Sequence, residues 1–382
     1  MIDLTSLSVK IGNADIAPLV INASFLESIK GGIRGSLTIQ DNINFYDTTI
    51  GAMLQTVEVD FEYLGVTCKN VFVYDGVTDM EITRKGKKYE LHFISVQSVD
   101  FKTSVINQTY SSNSEAIIFK IFREACNEDS KLLIDTSAIT KGRYIVPNIV
   151  AGAAIKNVLD TAFDITGSQL CLYQRLWDQG ATRLTSYSDM NRLEFKTNEG
   201  KIYLIKNAAV GLSEDGTTDS VLSTVGTSSQ FTLMEANKDA SGKQAAGYYG
   251  HQVTHIELDE TNEIDFKPAE TRTELNKTKF PLSKDLYDDG VVSLFKTAAD
   301  PMARAAMNQR KRLYNHFMRV SNVVAVPYIG CGMSIAINPG SGDVSNSRET
   351  SKKYIIQNIQ HSLVMNDGEW AYSQNLGLIR EW

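Results

Sequence analysis

The sequence predicts an α+β protein that is mainly β, and three observations carry that prediction. Apolar and polar residues alternate with period two at both ends of the chain, most cleanly where Val57, Val59 and Phe61 interleave with Glu58, Asp60 and Glu62. Between residues 101 and 195 two segments switch to helical spacing. From 207 to 250 the composition shifts to Ser, Thr, Gly, Asp and Ala, which marks a boundary between two halves.

Residues 22–63 set the pattern. Ile33, Leu37 and Ile39 interleave with polar residues while Gly31, Gly32 and Gly35 break any helix, so a bent or bulged strand is expected. Residues 41–47 then leave the sheet as an excursion that ends near Gly51. The strand around Val57 follows, and residues 89–96, YELHFISV, close the unit with Leu91 and Phe93 on one face and His92 and Ile94 on the other. Several short antiparallel strands within about a hundred residues suggest a small barrel or sandwich.

Ser112-Asn113-Ser114-Glu115 has the form of a capping box with Ser112 at the N-cap. Ile117, Ile118, Ile121, Phe122 and Ala125 continue it as an amphipathic helix ending near Asn127. An extended piece at 143–148 comes next, then a helix marked by Ile155, Val158, Leu159, Ala162 and Phe163 that stops before Gly167. Two strands, 169–177 and 182–187, around Asp178-Gln179-Gly180 complete an α/β unit. A strand or short helix is expected near 230–236, and 251–266, HQVTHIELDETNEIDF, reads as a hairpin turning at 259–262. Asp300-Pro301 supplies an N-cap and an N1 proline for a helix through about Phe317. The chain returns to strands at 320–329, 333–337, 354–365 and 370–379, a meander whose last turn is Asp367-Gly368.

A chain of 382 residues has room for two or three domains. Its 42% hydrophobic and 22% charged content excludes a wholly disordered polymer. No run of about eighteen apolar residues occurs, which excludes a membrane-spanning helix at that threshold. The first twenty residues lack a basic segment followed by an apolar core, so no signal peptide is expected and synthesis and residence in a cytoplasm are. The net charge of -7 argues against a surface built to grip a nucleic-acid backbone, although a mildly acidic wall suits a channel through which DNA slides.

Candidate chemistry is sparse. Cys68, Cys126, Cys171 and Cys331 are far apart with no C-x-x-C pair, as expected of reduced, half-buried packing residues. His251 and His255 have zincin spacing, but Gln252 stands where that motif needs its glutamate, and on a strand the two lie about 13 Å apart. Glu257, Asp259, Glu260, Glu263 and Asp265 could pair as glycosidase carboxylates, against the simpler reading of a solvated strand face. Pro339-Gly340-Ser341-Gly342 lacks the lysine of a phosphate loop and reads as a turn. Arg304, Arg310, Lys311, Arg312 and Arg319 read as the one basic run, facing solvent or an acidic neighbour. Tyr328, Trp370, Tyr372 and Trp382 read as core or interface aromatics, with residues 380–382 a candidate docking end. No catalytic, cofactor-binding or metal residue is assigned.

In order along the chain, SIKGGIRGSLTIQD, VEVDFEY, FVYDG, YELHFIS, SEAIIFKIF, the Pro147-Asn148 of YIVPN, AIKNVLDTAF, QLCLYQRLW with RLTSYSDMNRL, and GCGMSIAI with KKYIIQNIQHSLVMNDGEWAYSQNLGL resemble the baseplate central hub proteins of contractile-tailed phages. Over residues 207–300 the resemblance is one of length and position only. It implies two tail-tube-like antiparallel β-barrels, one at 1–100 and one at 196–240 with 315–382. It also implies an α/β domain at 101–195 and an inserted hairpin and helix domain at 241–314.

The resemblance further implies a homotrimer whose six barrels form a pseudo-sixfold ring, lined or supported by polar positions within 37–39, 57–61 and 355–363. That ring would join a hexameric tail tube or tube-initiator protein to a trimeric central spike, touch the baseplate wedge proteins and let genomic DNA pass. The expected location is the virion tail baseplate, after assembly in the host cytoplasm, and the expected role is structural, not enzymatic, with no cofactor. The alternatives are a phage-encoded cell-wall hydrolase using the acidic hairpin and the hub of a related contractile injection system.

Overall fold

The computed structural model describes residues 6–50, 56–84, 86–166, 168–196, 202–207, 222–228, 230–234, 253–258, 264–269, 293–295, 316–338, 352–366 and 368–380. The N-terminal part is made of strands: β1 (Ser6–Ile11), β2 (Ala14–Asp15), β3 (Val20–Ser28), β4 (Gly31–Asp41), β5 (Thr56–Tyr63), β6 (Val66–Thr83) and β7 (Gly86–Ser95). A mixed module follows, with α1 (Val96–Thr103), β8 (Val105–Asn113), α2 (Ser114–Ala125), β9 (Leu132–Ile134), β10 (Lys141–Val150), α3 (Ala151–Leu159), β11 (Leu170–Gln174), β12 (Thr182–Ser186) and α4 (Tyr187–Arg192). Next come β13 (Ile202–Asn207), β14 (Leu222–Ser228), β15 (Gln230–Met234), β16 (Val253–Leu258), β17 (Ile264–Ala269) and β18 (Ser293–Phe295). Strands also close the chain: β19 (His316–Val324), β20 (Ser334–Asn338), β21 (Lys352–Asn366) and β22 (Glu369–Arg380).

The fold is mainly β, and fourteen strands join in one sheet. One half runs β3-β4-β7-β6-β5-β1-β2 and the other β14-β13-β20-β21-β22-β19-β15. The strand common to both is β21. One of its edges pairs with β22 from Ile355 to Asn366, while the other pairs first with β20, Ile355 opposite Ser334, and then with β3, Asn358 to Val364 opposite Ser28 to Asn22. A register shift between Ile356 and Asn358 marks the crossing from one half to the other. No closed barrel forms among the described residues.

Two cores follow from this path. Ile355, Ile356 and Ile359 pack with Val320, Ile335 and Leu378 in the C-terminal half, whereas Leu363, farther along the same strand, enters the N-terminal core. That N-terminal core is aromatic, with Phe25 set 5.7 to 6.3 Å, centroid to centroid, from Phe61, Phe72 and Phe93. The expected alternation is realised in β5, where Val57, Val59 and Phe61 are buried. The excursion after β4 is held by the buried Asp41 carboxylate, which accepts the amide N–H groups of Ile43 (3.2 Å), Phe45 (2.8 Å) and Tyr46 (2.8 Å). In the mixed module the β8–β10 ribbon covers α2 and α3, whose Ile117, Ile118, Ile121, Ile155 and Val158 form a third core.

Several expectations need correction. The N-cap of α2 is Asn113, because Ser112 still pairs with Gly142 in the β8–β10 ladder. Glu115 instead accepts the Asn113 amide (2.8 Å) and the N–H of Ala138. Helix α3 stops at Leu159, so Ala162 and Phe163 are buried in the turn beyond it. The sequence from Val66 to Thr83 is one long strand, whose bulges near Gly76 and Asp79 break the alternation that would have revealed it. Residues 230–234 are strand, and 253–258 pairs with 264–269 as the expected hairpin. The helix expected from Asp300 lies outside the described residues except at His316 and Phe317, which begin β19. The C-terminal strands are not a simple meander, since β19 pairs with β22 and not with β20.

Helix α1, which the sequence reading missed, carries a testable feature. Oδ2 of Asp100 is buried with no hydrogen-bond partner among the described residues, and burial raises its carboxyl above the usual carboxylate range although the Cys126 thiol donates to it. An acid with a raised folded pKa weakens the fold, the penalty being absent below its unfolded value, growing as pH rises from the unfolded to the folded one, and complete above it. Asp100→Asn is expected to raise the melting temperature at pH 7 and to leave it unchanged at pH 3. Scanning calorimetry at both values checks this.

Candidate functional site

One cluster of buried polar groups lies where the two sheet halves meet the mixed module. Glu27 occupies an inward position of β3, in register with the buried Ala23 and Phe25. Its Oε1 accepts the backbone N–H of Leu176 (2.6 Å) and Nε2 of His361 (3.0 Å), and its Oε2 accepts the N–H of Cys331 (2.9 Å). One carboxylate therefore binds β3, the segment after β11, the loop before β20 and β21.

The network continues from His361 on β21. A carboxylate can only accept, so Nε2 carries the proton, and Nδ1 accepts the Tyr372 hydroxyl at 2.7 Å in the neutral tautomer. Burial pushes the Tyr372 hydroxyl well above its ordinary range, so it remains a donor. Gln374 closes the chain by clamping Val326, whose N–H it accepts (3.1 Å) and whose carbonyl it donates to (3.3 Å).

Arg175 holds the other side of the same loop. Its Nε donates to the Cys331 carbonyl (2.7 Å) and its Nη2 to the Tyr173 hydroxyl (3.2 Å), with the guanidinium 5.5 Å from the Tyr173 ring centre. The Cys331 peptide is thus fixed at its N–H by an anion and at its C=O by a cation, both out of water. Glu27, His361, Arg175 and Gln374 are each at most 3% exposed. Buried and hydrogen-bonded in this way, the constellation fixes the relative placement of the two sheet halves and the mixed module.

Of the residues singled out in the sequence, Tyr372 and Cys331 belong to this network. The four cysteines are buried and none is in a disulfide. Burial raises the thiols of Cys68 and Cys331, with Glu27 adding to both, and that of Cys126 to about 12, so none of these three is a thiolate nucleophile. In the acidic hairpin Glu257 stands opposite Asp265 in register, while Asp259, Glu260 and Glu263 lie outside the described residues, as does His251 beside His255 of β16. No group of three or more potential metal ligands occurs among the described residues.

Of the expected basic run only Arg319 is described, exposed on β19. A second basic run, residues 84–88, was missed; its Lys87 and Lys88 lie at the start of β7, and Lys87 pairs with Asp47 at 2.5 Å. Tyr328 is exposed with its ring 5.8 Å from Trp177, Trp370 packs partly buried on the N-terminal core, and Trp382 and residues 339–342 lie outside the described residues. No helix among the described residues is long and apolar enough to cross a membrane.

Fold and site together define a β-rich protein organised around a structural joint. No protein-family model matches the chain, and no curated protein sequence does. Solved structures do. The tail protein of Neisseria meningitidis MC58 superposes with a TM-score of 0.56 at 10% identity, over 98% of this chain and 96% of that one. The 43 kDa tail protein of prophage MuSo2 from Shewanella oneidensis gives 0.55 at 10% identity, over 98% of both chains. An Escherichia coli component of the type VI secretion system gives 0.49 at 9% identity, over 100% of this chain and 77% of that one. The chain has the fold of phage tail proteins.

Proposed function

We propose that the chain is a structural baseplate hub of a contractile phage tail, a homotrimeric ring that joins a hexameric tail tube to a trimeric spike and encloses the path of the DNA. The observation that carries this reading is the single sheet shared by two halves, each with its own core, linked through β21 and β3. A chain with two β-units presents six units per trimer, so a threefold assembly can meet a sixfold one. In this reading each half is a tube-like barrel completed within the assembly, and the joint at Glu27 keeps the two at a fixed angle. The mixed module braces both halves from one side. Full-length likeness to two tail proteins supports the setting.

The native mass of the purified chain tests the proposal. A species of three times 42.3 kDa, alone or with its spike, with six lobes in class averages, is the expected result. A monomer under both conditions would remove the symmetry argument.

A further inference from the structure

A cavity of about 280 Å³ opens where the β3–β4 turn, α1, α3 and β11 converge. Its apolar lining comes from Phe101, Ile155, Leu159 and Leu172, while among the described residues Lys30 and Lys156 are its charged lining residues and no carboxylate borders it. In a chain of net charge -7 such a local balance is against the average. Both lysines are exposed, and neither has an ion-pair partner among the described residues.

The polar wall does not compete for those ammonium groups. Gln174 is engaged on both sides, its Nε2 sharing two N–H groups among Gln97 (2.8 Å), Gly180 (3.2 Å) and Thr182 (3.3 Å) and its Oε1 accepting from Ile33 (3.3 Å). The first turn of α1, which contributes Gln97 and Ser98, has no acidic residue. Its N-cap Ser95 bonds the Ser98 hydroxyl (2.7 Å) instead of capping a backbone N–H, so the helix dipole adds to the positive potential. The volume lies just below the roughly 300–1,000 Å³ of small-molecule sites, enough for one or two residues of a peptide.

We propose that this cavity takes the C-terminal end of a partner polypeptide, with an aliphatic side chain among Phe101, Ile155, Leu159 and Leu172 and the terminal carboxylate facing Lys30 and Lys156. The inference is independent of the hub reading. It assigns a peptide-end site to the seam between the first sheet half and the mixed module, so that a bound tail would staple the two.

Titration calorimetry on the full chain tests it with acetyl-Leu-Leu, the same dipeptide as its C-terminal amide, and hexanoate. The free acid is expected to bind at least about tenfold more tightly than the amide, because only the acid offers a charge-assisted bond. Lys30→Ala with Lys156→Ala is expected to erase that preference. Gly31→Leu is expected to abolish binding while the melting curve stays unchanged, since a side chain at Gly31 on the cavity lip meets nothing within 4 Å. Equal binding of acid and amide, an acid affinity untouched by the double substitution, or no binding of the acid at millimolar concentration overturns the proposal. Hexanoate binding as tightly as the peptide acid overturns the peptide assignment.

Discussion

Replacing Glu27 by alanine is expected to destabilise the chain by about 3–5 kcal/mol, because one buried acceptor that serves three buried donors is lost. The cause is specific. The side chain answers two backbone N–H groups, those of Leu176 and Cys331, and one imidazole, all excluded from water. Alanine strands all three donors and leaves a cavity, and each stranded group costs about 1–3 kcal/mol on its own. Glu27→Gln should fall between wild type and alanine, because its amide oxygen can serve one arm while its NH₂ group faces a donor on the other.

A Glu27→Leu, His361→Leu pair sharpens the interpretation. Replacing both partners of a buried hydrogen bond by apolar groups of similar shape is often nearly neutral. Here it still strands the N–H groups of Leu176 and Cys331, so the pair should remain well below wild type. Urea midpoints followed by tryptophan fluorescence rank the four proteins, Trp177 lying in the adjoining core. An alanine variant within about 1 kcal/mol of wild type would mean that the carboxylate does not anchor those backbone groups.

This joint was half legible in the sequence. Ala23, Phe25 and Glu27 share the inward register of β3, His361 stands between Ile359 and Leu363, and Gln374 between Tyr372 and Leu376. A polar residue on the apolar face of a strand is a visible signal, because burial without a partner is costly. The partner is not visible, since Glu27 and His361 are 334 residues apart and no local pattern couples them. Where alternation was unbroken, as at Val57, the strand could be read directly. Where bulges at Gly76 and Asp79 disturbed it, an eighteen-residue strand was reduced to a fragment. The capping box failed for a related reason: ladder pairing with Gly142 kept Ser112 in its strand, and tertiary context overrode a local signal.

The seam between the mixed module and the C-terminal half offers the second large effect, at Gly332. Its φ is +73°, where a β-carbon costs about 1–2 kcal/mol. A Cβ placed there would meet the Tyr173 hydroxyl and lie 2.6 Å from its Cζ, inside any real contact. Tyr173 cannot retreat freely, because its hydroxyl is held by Arg175 (3.2 Å) and Thr185 (3.3 Å) and its ring is buried. Gly332→Ala should therefore add about 1–3 kcal/mol of overpacking to the backbone term. In a Tyr173→Ala background only the backbone term should survive, so the two substitutions should couple by about 1–3 kcal/mol in a double-mutant cycle. An equal cost of Gly332→Ala in both backgrounds would place its penalty wholly in the backbone and remove Tyr173 from the seam. Coupling of the expected size would instead show that the loop held by Glu27 on one side is seated against the mixed module on the other. Keeping the two sheet halves at one angle needs both supports, because either alone leaves that loop free to turn about the remaining contact.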